Sequence, residues 1–96
     1  MQADEAARDP RAELMACRNA IEVIDRRLVA LLAQRVALGV RAAAAKRAAG
    51  LPLVDHEREA EVMRNVIAEA RAHDLPVEQL FGRIVAMSRR AQEEAR

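Results

Sequence analysis

The sequence predicts an all-α fold: three helices, a long first one and two shorter ones, with the long helix paired against a second copy of the chain. Three observations carry this. Only 3 glycines and 3 prolines punctuate 96 residues, too few turn residues for an all-β chain. In the first half, apolar residues recur at alternating spacings of three and four, a heptad-like seam. A helix long enough to hold that seam, about 38 residues and about 57 Å, cannot bury it against two short helices of its own chain. A symmetric homodimer is the commonest solution.

Residues 1–9 carry no partner pattern and are expected to be disordered, leaving 10–96 as a single domain. The first helix starts at Pro10, whose missing N–H costs nothing at a first helical position. It runs without a breaker to Ala49, with Gly50 as the residue after the cap and Pro52 as the stop. Its seam reads Leu14, Cys17, Ile21, Ile24, Leu28, Leu31, Leu38, Ala42 and Ala45, interrupted by Arg35. The second helix takes Asp55 as N-cap and extends to about His73, with an apolar stripe of Val62, Met63, Val66, Ile67 and Ala70. The third follows the Asp74-Leu75-Pro76 break and reaches about Glu94. Its stripe is Val77, Leu80, Phe81, Ile84, Ala91 and Ala95.

Composition excludes several function classes. Lys+Arg 16 against Asp+Glu 15 gives a net charge of +1, too balanced for an electrostatic nucleic-acid binder. Phe81 is the sole aromatic, so there is no stacking platform for bases. The single cysteine, Cys17, rules out an internal disulfide or a cysteine-based zinc site. No apolar run nears the roughly 20 residues of a membrane span, and the acidic, polar start lacks a signal-peptide core. A cytoplasmic protein with no membrane partner is the expectation. Lys46 is the sole lysine among arginines.

Polar residues on the apolar stripes are the informative ones. Lys46 follows Arg35 by 11 residues, which returns to the same helix face about 16 Å along the axis. Glu59 lies one turn before Met63 and points inward. Ser88 and Gln92 continue the inner face of the third helix after Ile84. Buried unpaired, such groups are costly. Each has a structural explanation: an Arg35–Glu59 bridge, dipole stabilisation of Lys46, an N-cap role for Asp55, mutual satisfaction of Ser88 and Gln92. Together they describe a polar pocket in a helical bundle, and its cations suit an anionic ligand such as a carboxylate. Arg18 lies about 25 Å from Arg35 along the same helix, so it reaches such a pocket only from an antiparallel partner.

These residues resemble the all-helical chorismate mutase family. The first helix carries R-x6-D at Arg18 and Asp25, L-L-A-Q-R at 31–35, and Lys46 eleven residues on. Residues 54–59 read V-D-H-E-R-E, residues 80–81 read L-F, and Ser88 and Gln92 follow. The joint spacing, spread over about Glu13 to Glu93, is specific where each element alone is weak.

The resemblance implies an intertwined homodimer whose sites each borrow Arg18 from the other chain, and the rearrangement of chorismate to prephenate without a cofactor or metal. By this likeness Arg35, Arg18 and Arg58 hold or screen the substrate carboxylates. Lys46 and Gln92 donate to the ether oxygen, and Glu59 accepts the ring hydroxyl and orients Lys46. Asp55, through its backbone, and Ser88 complete the lining. Related scaffolds act as isochorismate-pyruvate lyases or on 4-amino-4-deoxychorismate; the acidic pair Asp55 and Glu59 favours the mutase over both. A non-catalytic helical dimerisation module is the alternative from another class. The stretch between Ala70 and Leu80 is about one helical turn shorter than in the family, which puts the placing of Ser88 and Gln92 in question. It also brings in an activating partner, the first enzyme of the shikimate pathway.

Overall fold

The computed structural model describes residues 9–95. They form three helices, α1 (Pro10–Ala49), α2 (His56–Arg71) and α3 (Glu78–Glu94), with no strand among the described residues. Of the segment expected to be disordered, residues 1–8 lie outside the described residues. Asp9 is described, and it caps α1: its carboxylate accepts the Arg11 N–H at 3.1 Å and its carbonyl accepts the Glu13 N–H at 3.0 Å. Pro10 is then the first helical residue, as its fixed φ favours.

Two helix ends close by the same device. Gly50 adopts φ 70°, its N–H bonds to the Arg47 carbonyl at 3.2 Å, and the Leu51 N–H reaches the Lys46 carbonyl at 2.8 Å. This is a Schellman motif, which needs a left-handed residue that glycine supplies without strain. After α2 the left-handed position falls on Asp74, φ 53°. There the Asp74 N–H meets the Arg71 carbonyl at 3.3 Å and the Leu75 N–H meets the Ala70 carbonyl at 3.1 Å. Aspartate tolerates this conformation better than most side chains. The same geometry ends α2 two residues before the expected His73. Pro76 then delays α3 until Glu78.

The chain divides into two units between Ala33 and Gln34. The first holds the N-terminal part of α1. Its large apolar side chains are open to solvent: Leu14 48%, Ile21 55%, Ile24 53%, Leu28 52% and Leu31 58% exposed. Cys17 is exposed as well; its thiol is pushed above its ordinary pKa by a hydrogen bond to the Glu13 carboxylate and by that group's charge.

In the second unit α2 packs on α3. Its buried residues are Ala43 of α1, Ala70 of α2, and Ile84 and Ser88 of α3. The expected α2 stripe, Val62, Met63, Val66 and Ile67, is half-buried around them. On α3, Phe81 and Ala91 are half-buried as expected, whereas Leu80 and Ala95 are exposed. The inner face of α3 runs from Ile84 through Ser88 to Gln92 as expected, with Val85 beside them.

One sequence expectation is corrected here. Over 18 residues α1 reaches a mean hydropathy of 1.5, so by length and composition it is able to cross a membrane. An unbroken apolar run stops at Gln34, but residues 28–45 hold only two charges, Arg35 and Arg41. An arginine at mid-bilayer costs about 2.5–3.5 kcal/mol, a penalty that would fall on Arg35, near the middle of this stretch, and less on Arg41 toward its end.

Candidate active site

One face of α1 supplies Arg35, Leu38, Gly39, Ala42 and Lys46 to the wall of a cavity of about 600 Å³. These positions repeat at three, four and seven residues, the spacing of neighbours on a helix surface. The connection after α1 adds Leu53, Val54 and Asp55, α2 adds Arg58, Glu59 and Val62, and α3 adds Val85, Ser88, Arg89, Gln92 and Glu93. The whole lining comes from the second unit, and the volume is that of a small-molecule site. Seven of the eight expected site residues meet there: Arg35, Lys46, Asp55, Arg58, Glu59, Ser88 and Gln92. The short α2–α3 connection leaves Ser88 and Gln92 in the cavity wall. Arg18 is in the first unit, exposed, and is no part of this wall.

Local chemistry holds each side chain. Lys46 sits in the last turn of α1, and the turn at Gly50 reverses the chain so that its Nζ donates to the Leu53 carbonyl at 3.1 Å. Asp55 spends its carboxylate as the α2 N-cap, accepting the Arg58 N–H at 3.0 Å. The Arg58 guanidinium turns along its own helix to Glu61. On α3, Ser88 is 5% exposed, and the Gln92 amide donates to its Oγ at 3.3 Å. That is the mutual satisfaction the sequence left open.

Glu59 behaves differently from expectation. Among the described residues it makes no ion pair with Lys46 or Arg35. Its Oε1 instead accepts from Arg89 Nη2, reaching across from α3, while its Oε2 lies 3.7 Å from His56 Nδ1. The reason is geometric: Lys46 is drawn to the Leu53 carbonyl, and Arg89 projects from the helix packed directly on α2.

Two functional positions escape the sequence reading. Arg89 is one. Gly39 is the other: a Cβ there would collide with Ser88 Oγ and lie 3.1 Å from Gln92 Nε2. The absence of a side chain lets α3 bring its two polar groups onto α1. Arg89 was legible as the i+4 neighbour of Val85 on the inner face; Gly39 lay beside Leu38 on the seam.

The lining carries four cations, Arg35, Lys46, Arg58 and Arg89, against three carboxylates, Asp55, Glu59 and Glu93. Two of those carboxylates are already engaged. Arg35 and Lys46, both half-buried, have no ion-pair partner among the described residues. Cations left this way in a concave wall concentrate a positive potential and supply charge-assisted donors for a carboxylate.

The sequence model of chorismate mutase type II matches residues 17–93. The chain belongs to that family. Over 67 residues it is 40% identical to a bifunctional chorismate mutase/prephenate dehydratase of Enterobacter agglomerans, which covers 70% of this chain and 17% of that protein. The chain thus spans less than a fifth of that relative's length. No solved structure matches it. The match to the chorismate mutase type II family begins at Cys17 and ends at Glu93, so it takes in every expected site residue from Arg18 to Gln92.

Proposed function

We propose that the chain rearranges chorismate to prephenate in aromatic amino acid biosynthesis, in the cytoplasm, as an intertwined homodimer. The observation that carries the reading is the convergence of Arg35, Lys46, Glu59, Ser88 and Gln92 on one cavity, in a chain of the chorismate mutase type II family. The reaction is internal to the substrate. The bond from a ring carbon to the ether oxygen breaks as a carbon–carbon bond forms, and no atom, proton or electron leaves. The protein has two tasks: to hold a compact conformer with its reacting ends together, and to stabilise negative charge growing on the ether oxygen.

Arg35 takes one substrate carboxylate. Arg58 and the partner subunit's Arg18 hold or screen the carboxylates from other sides. Lys46 Nζ exchanges the Leu53 carbonyl for the ether oxygen, and Gln92 Nε2 turns from Ser88 to the same atom. Glu59 accepts the ring hydroxyl through Oε2, the oxygen that Arg89 leaves free. The Asp55 backbone and Ser88 complete the lining.

The exposed seam supports the dimer. Six seam residues, Leu14, Ile21, Ile24, Leu28, Leu31 and Leu38, are each about half exposed. Covering them yields about 1 kcal/mol each, so α1 is a surface with a strong drive to be covered. A mutase assay on the purified chain decides the reading: chorismate absorbance falls and prephenate appears faster than in buffer. Turnover no faster than the uncatalysed rate, with or without the first enzyme of the shikimate pathway, refutes it. Isochorismate and 4-amino-4-deoxychorismate in the same panel distinguish the related activities.

A further inference from the structure

We propose that Arg89 sets the ring-substituent specificity of this site: by holding one oxygen of the Glu59 carboxylate, it makes the cavity select a substrate with a neutral hydroxyl over one with an ammonium at that ring position. This inference rests on the mutase reading.

Arg89 and Glu59 are 30 residues apart in sequence and lie on facing helices. Both line the cavity. Arg89 Nη2 donates to Glu59 Oε1, while Oε2 makes no hydrogen bond among the described residues and has only the exposed His56 ring, 3.7 Å away, beside it. The carboxylate therefore offers Oε2 as an acceptor while Oε1 is held by Arg89. Its charge is compensated at the same time. A hydroxyl needs only the acceptor and is indifferent to the net charge behind it. An ammonium needs the charge, and here it meets a carboxylate whose field is cancelled by an adjacent guanidinium. Without Arg89, Glu59 would lose the cation that holds it and present more of its negative charge to a dianionic substrate. That repels chorismate and welcomes the amino analogue.

The side chains of Arg89 and Glu59 are 47% and 35% exposed, so solvent screens the pair in part and the effect is one of selectivity rather than of folding. Arg89 acts through Glu59 and is a positioning residue, not a catalytic one.

The test is the ratio of kcat/KM for chorismate to that for 4-amino-4-deoxychorismate, measured in the 96-residue chain. Arg89→Met should move the ratio about tenfold toward the amino analogue, with the loss on chorismate expressed mainly in KM. Arg89→Lys, which keeps the charge, should restore most of the ratio. In a Glu59→Gln background, Arg89→Met should leave the ratio unchanged, because the group it acts through is gone. An unaltered ratio in a folded Arg89→Met variant overturns the proposal, as does an equal change in the Glu59→Gln background. Should Arg89→Met fail to fold, Arg89→Gln gives the same comparison. A wild-type chain that turns over neither substrate is a different result: the mutase reading falls, and the specificity assignment falls with it.

Discussion

Replacing Gly39 with alanine separates packing from catalysis. In an exposed helix interior this change gains about 1 kcal/mol, because glycine gives up more backbone freedom on folding. At Gly39 the new methyl would occupy space already held by Ser88 Oγ, with Gln92 Nε2 at 3.1 Å. Ser88 is 5% exposed, so relief of the clash moves either its Oγ or α3 as a whole, and both disturb the Gln92 contact. Overpacking of this kind costs about 1–3 kcal/mol, leaving a net destabilisation of about 0–2 kcal/mol. The catalytic loss should be much larger. Relieving the clash displaces the Ser88–Gln92 pair by about 1 Å, and a misplacement of that size costs about a hundredfold in rate. Gly82 is the built-in control: a Cβ there meets nothing within 4 Å, so Gly82→Ala should stabilise the chain by about 1 kcal/mol with its activity intact. Urea unfolding and the chorismate absorbance assay read both quantities. A Gly39→Ala variant as stabilised as Gly82→Ala, with wild-type kcat, would refute the close approach of α3 to α1 and the placing of Gln92 in the site.

Three further outcomes follow from the proposed site. Lys46→Ala should lower kcat about a hundredfold or more, and circular dichroism should show α1 retained, since the side chain's one hydrogen bond is to Leu53; near-normal kcat would remove Lys46 from the mechanism. Gln92→Glu should shift activity toward acid: a carboxyl donates a hydrogen bond only when protonated, below its ordinary pKa of about 4.3, so kcat should rise as pH falls. An unchanged pH–rate profile would place Gln92 outside the site. Mixing Arg18→Ala with Arg35→Ala chains should restore about one working site per heterodimer, measured as turnover recovered after joint refolding. No recovery in a verified heterodimer would argue against a borrowed arginine.

Much of this was legible in the sequence, for identifiable reasons. Helix ends are written in residues with special backbone demands. Pro10, Gly50 and Asp55 mark three boundaries correctly because each does a job that few residues do. Asp74 is harder to read: it fills a left-handed position usually given to glycine, and so α2 ends at Arg71, two residues before the expected His73. The cavity residues were legible because polar groups at seam spacing have to face something. Their partners were not. Spacing fixes the face of a helix on which a side chain lies, but it does not say which neighbour wins when several compete. For Glu59 the sequence offered Arg35 and Lys46, and only the packing of α3 on α2 brings in Arg89. Leu80 and Ala95 show the same limit from the apolar side: both lie close to the inner face by spacing, but they sit in the first turn and at the C-cap of α3, where nothing packs over them.

The site and the proposed dimer are one physical problem, and Leu38 shows why. It belongs to the α1 seam, it is 57% exposed, and it lines the cavity. Arg35, one turn earlier on the same helix, interrupts that seam and lines the same cavity. A surface that covers Leu38 therefore also covers that edge of the cavity. Water excluded there strengthens every cation–carboxylate contact inside. A charged group arriving with that wall would act at short range and low dielectric. In the proposed dimer that group is the partner subunit's Arg18. In the proposed dimer, the apolar force that joins two chains at Leu38 would also complete the cationic wall.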